Sequence, residues 1–182
     1  MRRVFLSLFL VLGAVALGSA QTAAPKPAAP KPAAPPNRLL NPAALTAKAP
    51  ELFKVKFDTS KGVVMLELHR DWAPLGVDRF YNMTRNGFFS GARFFRVMPN
   101  FMAQFGINGD PAVNAAWKEK YVRDDPPRSM NRRGTFAFAF KAMPNTRNTQ
   151  IYINLGDNSR NDAEAFTVLG TVIEGMAVID SL

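Results

Sequence analysis

The stretch FFRVMPNFMAQFG, residues 94–106, carries the most information about the fold. Phe94–Met98 and Phe101–Phe105 are rich in aromatic and apolar residues and flank a Pro-Asn pair, which predicts two adjoining strands. Arg96 and Gln104 lie within these strands among aromatic and sulfur-containing side chains. The stretch therefore predicts an apolar pocket with a cation at its edge.

A second informative stretch, NTRNTQIYINLGDN at residues 145–158, joins a polar loop to another strand candidate. Gln150, Tyr152 and Asn154 alternate there with isoleucine and leucine, which is the period-two pattern of a strand with two different faces. Periodicity alone also allows both stretches to be ordinary core strands. A structural role and a binding role are both open at this point.

The surrounding sequence predicts more strands and one early helix. Phe53–Asp58 and Val63–His69 form a hairpin, with His69 on the solvated face. A helix begins at Pro74 and ends at Asn86-Gly87. The other strand candidates are Phe136–Phe140, Ile151–Leu155 and Phe166–Val172.

Seven strands with one early helix indicate a mostly β fold, a closed or nearly closed antiparallel barrel. The long stretch Gly106 to Gly134 has no clear pattern and is interpreted as an irregular loop. Loops of that length inside compact domains usually carry function.

Composition excludes several kinds of active site. The 182 residues include no cysteine, so a disulfide scaffold, a thiolate nucleophile and a cysteine zinc site are excluded. The single histidine, His69, cannot supply the two or three histidines of most catalytic zinc sites. We expect neither a metal nor a cofactor.

Most of the positive charge lies outside the predicted domain. The net charge of +9 divides into +6 for residues 1–50 and +3 for residues 51–182. A nucleic-acid-binding protein usually concentrates its basic residues on one face of a domain. We therefore expect no nucleic-acid partner.

The first fifty residues predict export. Residues 1–20 combine two arginines, a 14-residue apolar run from Val4 to Leu17 and small residues before Gln21, which is typical of a signal peptide. A retained anchor is the alternative, but a span needs roughly 20 apolar residues, so we expect no stable membrane insertion after cleavage. Residues 21–50 are rich in Ala, Pro and Lys and predict a disordered linker, leaving 51–182 as the folded domain of a periplasmic or secreted protein.

From Phe53 to Leu182 the chain resembles the cyclophilins, peptidyl-prolyl cis-trans isomerases, in their bacterial form. The two stretches above carry the resemblance, together with Arg133-Gly134-Thr135 and the segment from Gly170 to Met176. It implies an antiparallel barrel capped by helices, with the active groove on the outer face and Arg96 as the catalytic residue. The substrate-binding residues that it implies are Phe101, Met102, Gln104, Phe140, Lys141, Gln150, Tyr152 and Phe166.

The implied reaction suits these residue types. An amide resists rotation by ~18 to 20 kcal/mol, and X-Pro bonds exchange on the order of tens to hundreds of seconds. A catalyst needs an apolar slot for the proline ring and a donor for the twisted amide, but no nucleophile, metal or general base. Arg96 can be that donor because a guanidinium stays charged and has five N–H groups. The expected partners are proline-containing unfolded or loop segments of envelope or secreted proteins, bound by a monomer.

Three features depart from the family pattern. Asn161 and Arg160 stand where the family usually has leucine and, in some members, tryptophan. Tyr152 replaces the more usual phenylalanine. The chain ends at Leu182 within the expected second helix and supplies no last strand, so we expect either a fragment of a longer reading frame or a barrel with an unpaired edge along Phe53–Asp58.

Two other functions are alternatives to isomerisation. The departures at Asn161 and at the C-terminus would also suit a weakly active or inactive Pro-peptide binding module or chaperone. A barrel that carries a lipophilic ligand is disfavoured, because bulky inward-facing side chains should fill the interior.

Overall fold

The computed structural model describes residues 37–141, 143–164 and 166–182. The predicted signal peptide and the first part of the predicted linker, residues 1–36, lie outside the described residues. Within the described ranges, no helix has the length and apolar character needed to span a bilayer.

The centre of the fold is a seven-stranded antiparallel sheet whose strands follow the spatial order β1-β2-β7-β5-β6-β4-β3. Its strands are β1 Leu52–Thr59, β2 Gly62–His69, β3 Arg96–Met98, β4 Met102–Phe105, β5 Thr135–Phe138, β6 Ile151–Asn154 and β7 Val168–Glu174. All seven were predicted, and their observed ends lie within two residues of the predicted ends. Among the described residues, β1 and β3 are the two edges of the sheet.

The sheet curls around one hydrophobic core. Val64, Leu66 and Leu68 of β2 alternate with partly exposed residues and are fully buried, as expected for a strand with one face inward. Phe57 of β1 contacts Phe105 of β4 edge to face at 5.6 Å between ring centroids, although four strands lie between β1 and β4 in the sheet. This contact across the core confirms the predicted barrel-like fold.

Helices cover the sheet. α1, Pro74–Arg85, buries Val77, Phe80 and Met83 against it, confirming the predicted early helix. Its first turn is capped from outside, since the carboxylate of Asp125 accepts hydrogen bonds from the N–H groups of Leu75 and Gly76 at 2.9 and 2.8 Å. Near the C-terminus, α3, Met176–Asp180, buries Ile179.

The stretch Gly106 to Gly134, expected to be irregular throughout, contains a helix. α2, Pro111–Trp117, begins at Asp110, whose side chain accepts a hydrogen bond from the N–H of Ala112 at 2.8 Å. Val113 and Trp117, four residues apart, bury its inner face. A helix of seven residues with two buried side chains gives too weak a periodic signal to be predicted from sequence.

The domain also begins earlier than residue 51, which corrects part of the predicted linker. Residues 37–50 form two short 3-10 turns, and Leu39 and Ala49 join the hydrophobic core. The indole N–H of Trp117 donates to the Leu39 carbonyl at 2.8 Å. The high Ala and Pro content of this segment predicted that it buries no apolar surface. Burial of Leu39 and hydrogen bonds between the segment's backbone and side chains of α1 and α2 nevertheless hold it against the domain.

His69 is less solvated than predicted. Its ring stacks on Trp72 at 4.0 Å between centroids, and its Nε2 lies 3.3 Å from a carboxylate oxygen of Glu67. His69 therefore packs against neighbouring side chains at the end of β2.

Candidate active site

Strand register aligns the predicted polar and aromatic residues in one row. Arg96 of β3 pairs with Gln104 of β4, Gln104 pairs with Tyr152 of β6, and Tyr152 pairs with Ala137 of β5. Their strand neighbours, such as Phe105, point into the core. Because side chains alternate across a sheet, the row lies on the outer face, where the resemblance placed the groove.

The row borders a small pocket of about 130 Å³. Met102 and Tyr152 form its buried floor, and the partly buried rings of Phe101 and Phe166 stand around it. Phe166 contacts Phe140 at 4.4 Å and Tyr152 at 5.6 Å between ring centroids. The residues that line the pocket are Arg96, Phe101, Met102, Gln104, Ala139, Phe140, Tyr152, Asn161 and Phe166.

Arg96 lies at the exposed edge of this pocket and is oriented by a chain of amides. Its Nη1 is 3.5 Å from Oε1 of Gln104, and Nε2 of Gln104 donates to Oε1 of Gln150 at 2.8 Å. Its Nη2 contacts the sulfur of Met98 at 3.1 Å. Among the described residues Arg96 forms no ion pair, so its remaining N–H groups are available to a bound molecule.

The hydroxyl of Tyr152 enters a buried polar network beneath the pocket. It donates to Oδ1 of Asn131 at 2.7 Å and accepts from Nδ2 of Asn161 at 3.3 Å. Burial raises the pKa of Tyr152 well above its usual value of 10.0, so the ring stays neutral. The tyrosine that replaces the family's phenylalanine thus has polar partners for its hydroxyl.

A 3-10 turn, Ser159–Ala163, forms one wall. It places the Asn161 amide in the pocket lining and the Arg160 guanidinium over the Phe101 ring, 4.6 Å from its centroid. The wall is therefore more polar than the leucine and tryptophan of the family pattern would make it.

The structure brings most of the predicted site residues together. Seven of them line the pocket, and Gln150 reaches it through its hydrogen bond to Gln104. Lys141 does not line it; its N–H donates to Oγ1 of Thr146 and its Nζ to the hydroxyl of Tyr121, each at 3.0 Å. Ala139 and Asn131 were missed, because their part in the site comes from tertiary contacts and no motif marks them.

A second, larger concavity lies elsewhere. It has a volume of about 710 Å³ and is bordered by Phe57 of β1, Arg93 and Val178 of α3. It contains none of the predicted site residues.

An antiparallel barrel with an apolar pocket and an adjoining arginine on its outer face defines the class of proline-binding isomerase domains that the resemblance implied. Comparison with known proteins gives the family. The profile described as "Cyclophilin type peptidyl-prolyl cis-trans isomerase/CLD" matches residues 54–182, and the chain belongs to this family of peptidyl-prolyl cis-trans isomerases.

Curated relatives agree with this assignment, and a solved structure agrees with the fold. A peptidyl-prolyl cis-trans isomerase of Acinetobacter baylyi is 34% identical over 138 residues, covering 70% of each chain. Peptidyl-prolyl cis-trans isomerase B of Escherichia coli is 30% identical over 135 residues, covering 70% of this chain and 82% of the relative. A crystal structure of a Cryptosporidium parvum cyclophilin, 23% identical, superposes with a TM-score of 0.62 over 72% of this chain and 83% of that one, and supports the fold.

Proposed function

We propose that this cyclophilin accelerates rotation about X-Pro bonds of exported proteins, and that Arg96 stabilises the twisted amide while the neighbouring pocket holds the proline ring. In this mechanism Phe101, Met102, Tyr152 and Phe166 contact the ring. Gln104 and Gln150 orient Arg96 and bind the substrate main chain.

The physical basis is differential stabilisation of the twisted amide. When the C–N bond rotates, the nitrogen becomes pyramidal and regains the lone pair that was delocalised into the carbonyl. A donor aimed at that lone pair stabilises the twisted state more than the planar one. Apolar walls act in the same direction, because the twisted amide has less separated charge.

One observation carries the proposal: the guanidinium of Arg96, free of any carboxylate partner among the described residues, lies at the edge of a pocket of aromatic and sulfur-containing side chains. The Gln150–Gln104–Arg96 chain restricts where the guanidinium can point. A preoriented donor needs little reorganisation when the amide twists.

Magnetisation-exchange NMR on a blocked Ala-Ala-Pro-Ala peptide tests the activity. Catalytic amounts of protein should produce cis–trans exchange on the second timescale, whereas the free peptide exchanges on the order of tens to hundreds of seconds. Folded protein that leaves the exchange rate unchanged would contradict the proposal.

A Pro-peptide binding module or chaperone is the second candidate. The observation that favours it is Asn161, whose amide replaces an apolar wall of the pocket and is linked to Tyr152. Line broadening of the peptide without exchange acceleration would select this function over catalysis.

Export is the remaining part of the proposal. It is supported by the leader-like pattern of residues 1–20 and by the Ala/Pro/Lys-rich segment that follows. We propose that the mature, monomeric protein acts on envelope or secreted proteins, free in the periplasm or outside the cell. N-terminal sequencing of the protein from the exported fraction should give a start at or near Gln21, and a retained Met1 would contradict it.

A further inference from the structure

We propose that Arg160 makes the groove selective for proline segments that carry an acidic side chain on a residue adjacent to the proline. The inference rests on the proposed function in one respect, namely that the proline ring occupies the pocket beside Phe101. It adds a substrate class that proline recognition alone does not specify.

The guanidinium of Arg160 is held at the rim of the pocket. Its central carbon lies 4.6 Å from the centroid of the Phe101 ring, and Phe101 itself lines the pocket. Stacking on an aromatic face leaves the N–H groups at the guanidinium edge free to bind in its plane. The side chain is exposed, so those groups face the solvent from which a substrate arrives.

The charge of Arg160 is not neutralised within the described part of the chain. No carboxylate there lies within ion-pair distance of it. The nearest acids in sequence have other partners: Asp157 lies 3.9 Å from Arg132, and Asp162 accepts from the main-chain and side-chain N–H groups of Asn131 at 2.7 and 2.9 Å.

The charge of the pocket lining also favours a substrate with an acidic side chain. It contains the guanidinium of Arg96 and no acidic residue. Within the described part of the chain, neither Arg96 in the lining nor Arg160 over the Phe101 ring has a carboxylate partner, and Arg160 can bind a substrate carboxylate in a bidentate manner. Consecutive Cα atoms lie about 3.8 Å apart, so a residue next to a proline seated against Phe101 can bring its side chain to Arg160.

Two peptide series test the inference. In the first, the residue after the proline is Asp, Asn or Lys, and in the second the residue before it varies in the same way. Exchange NMR at low salt gives kcat/KM for each. The wild type should prefer Asp over Asn by about 2- to 5-fold in at least one series, the size expected for an exposed ion pair, and should disfavour Lys.

Variants assign the preference. Arg160→Gln should abolish the preference for Asp over Asn. Arg160→Lys, which retains the charge, should keep part of that preference. Arg93→Gln is the matched control, because it removes one exposed positive charge that borders the larger concavity and does not line the proline pocket. Arg93→Gln should retain the full preference, and added salt should weaken it in the wild type.

The outcomes separate this inference from the proposed function. Turnover of the Asn peptides tests isomerisation itself and does not depend on any preference for Asp. Equal rates for Asp and Asn in both series, or the same preference in wild type and Arg160→Gln, would overturn the inference. If no peptide is turned over, chemical-shift titration with the same peptides gives dissociation constants. Equal dissociation constants for the Asp and Asn peptides would also overturn the inference about Arg160.

Discussion

At the scale of single residues, the floor of the pocket depends on a side chain whose polar group is fully hydrogen-bonded. Tyr152 is the clearest case, because its ring forms the pocket floor while its hydroxyl bonds to Asn131 and Asn161. An aromatic residue of this kind combines apolar contact with a fixed orientation. The ring cannot rotate away from the pocket without breaking the buried network.

This network predicts how stability depends on pH. Burial raises the pKa of Tyr152 above its value of about 10 in the unfolded chain, so the folded state retains a proton that the unfolded state loses. The contribution to stability is complete below pH 10 and is lost as pH rises above it. Urea unfolding between pH 8 and 11 should show a steeper alkaline decline for wild type than for Tyr152→Phe.

The same substitution has an effect at neutral pH. Tyr152→Phe leaves the buried amides of Asn131 and Asn161 without their shared partner and should lower the free energy of unfolding by about 1 to 3 kcal/mol. Parallel declines above pH 10 in the two proteins would contradict the assignment of the alkaline effect to Tyr152.

At the scale of elements, the capping of α1 links the helix to the loop before β6. Asp125 is buried, caps the first turn of α1, and also accepts from Nη2 of the fully buried Arg147 at 3.0 Å. A carboxylate near a helix N-terminus is favourable, and here it also neutralises a buried cation. The loop that carries Gln150 is thereby tied to the helix.

Asp125→Ala should be strongly destabilising. It leaves two helix N–H groups without their acceptor and removes one of the two carboxylates that pair with the buried Arg147, whose Nε still lies 3.1 Å from Asp124. Removal of one partner of a buried pair costs about 3 to 5 kcal/mol. Asp58→Ala is a suitable control, because the ion pair that Asp58 forms within the described residues is an exposed one with Lys56 at 3.7 Å. Its loss should change stability by less than about 0.5 kcal/mol. Equal effects of the two substitutions in urea unfolding would show that the cap contributes little.

The strength of its local sequence pattern decides whether an element can be predicted. The β1–β2 hairpin and α1 have strong periodicity and clear turn or helix-start residues, so they were predicted to within two residues. α2 was missed because only Val113 and Trp117 mark its buried face. Asn131 was missed because its place under the pocket depends on a contact with Tyr152, 21 residues away, which no local pattern reports.

At the scale of the whole molecule, the folded unit extends before the catalytic domain matched by the family profile. That match begins at residue 54, yet Leu39 packs in the core and its carbonyl accepts from Trp117. The N-terminal segment therefore stabilises α2. Its role could not be predicted, because one buried leucine gives no detectable pattern within a segment rich in Ala and Pro.

Two adjacent leucines allow this to be tested. Leu39 is 6% exposed and Leu40 is 50% exposed. Leu39→Ala should lower the free energy of unfolding by about 2 kcal/mol or more, as for other buried leucines, whereas Leu40→Ala should stay within about 0.5 kcal/mol. Indistinguishable denaturation midpoints for the two variants would show that residues 37–50 do not stabilise the domain.

The central claim is that Arg96 stabilises the twisted amide, and one comparison tests it most directly. Exchange NMR on one Pro peptide, with wild type and Arg96→Ala at saturating peptide, measures kcat while circular dichroism checks folding. We predict a loss of roughly 10²-fold or more, since one donor aimed at a transition state contributes about 2.7 to 4 kcal/mol, with peptide affinity changed much less. A folded Arg96→Ala protein with near wild-type kcat would contradict the claim.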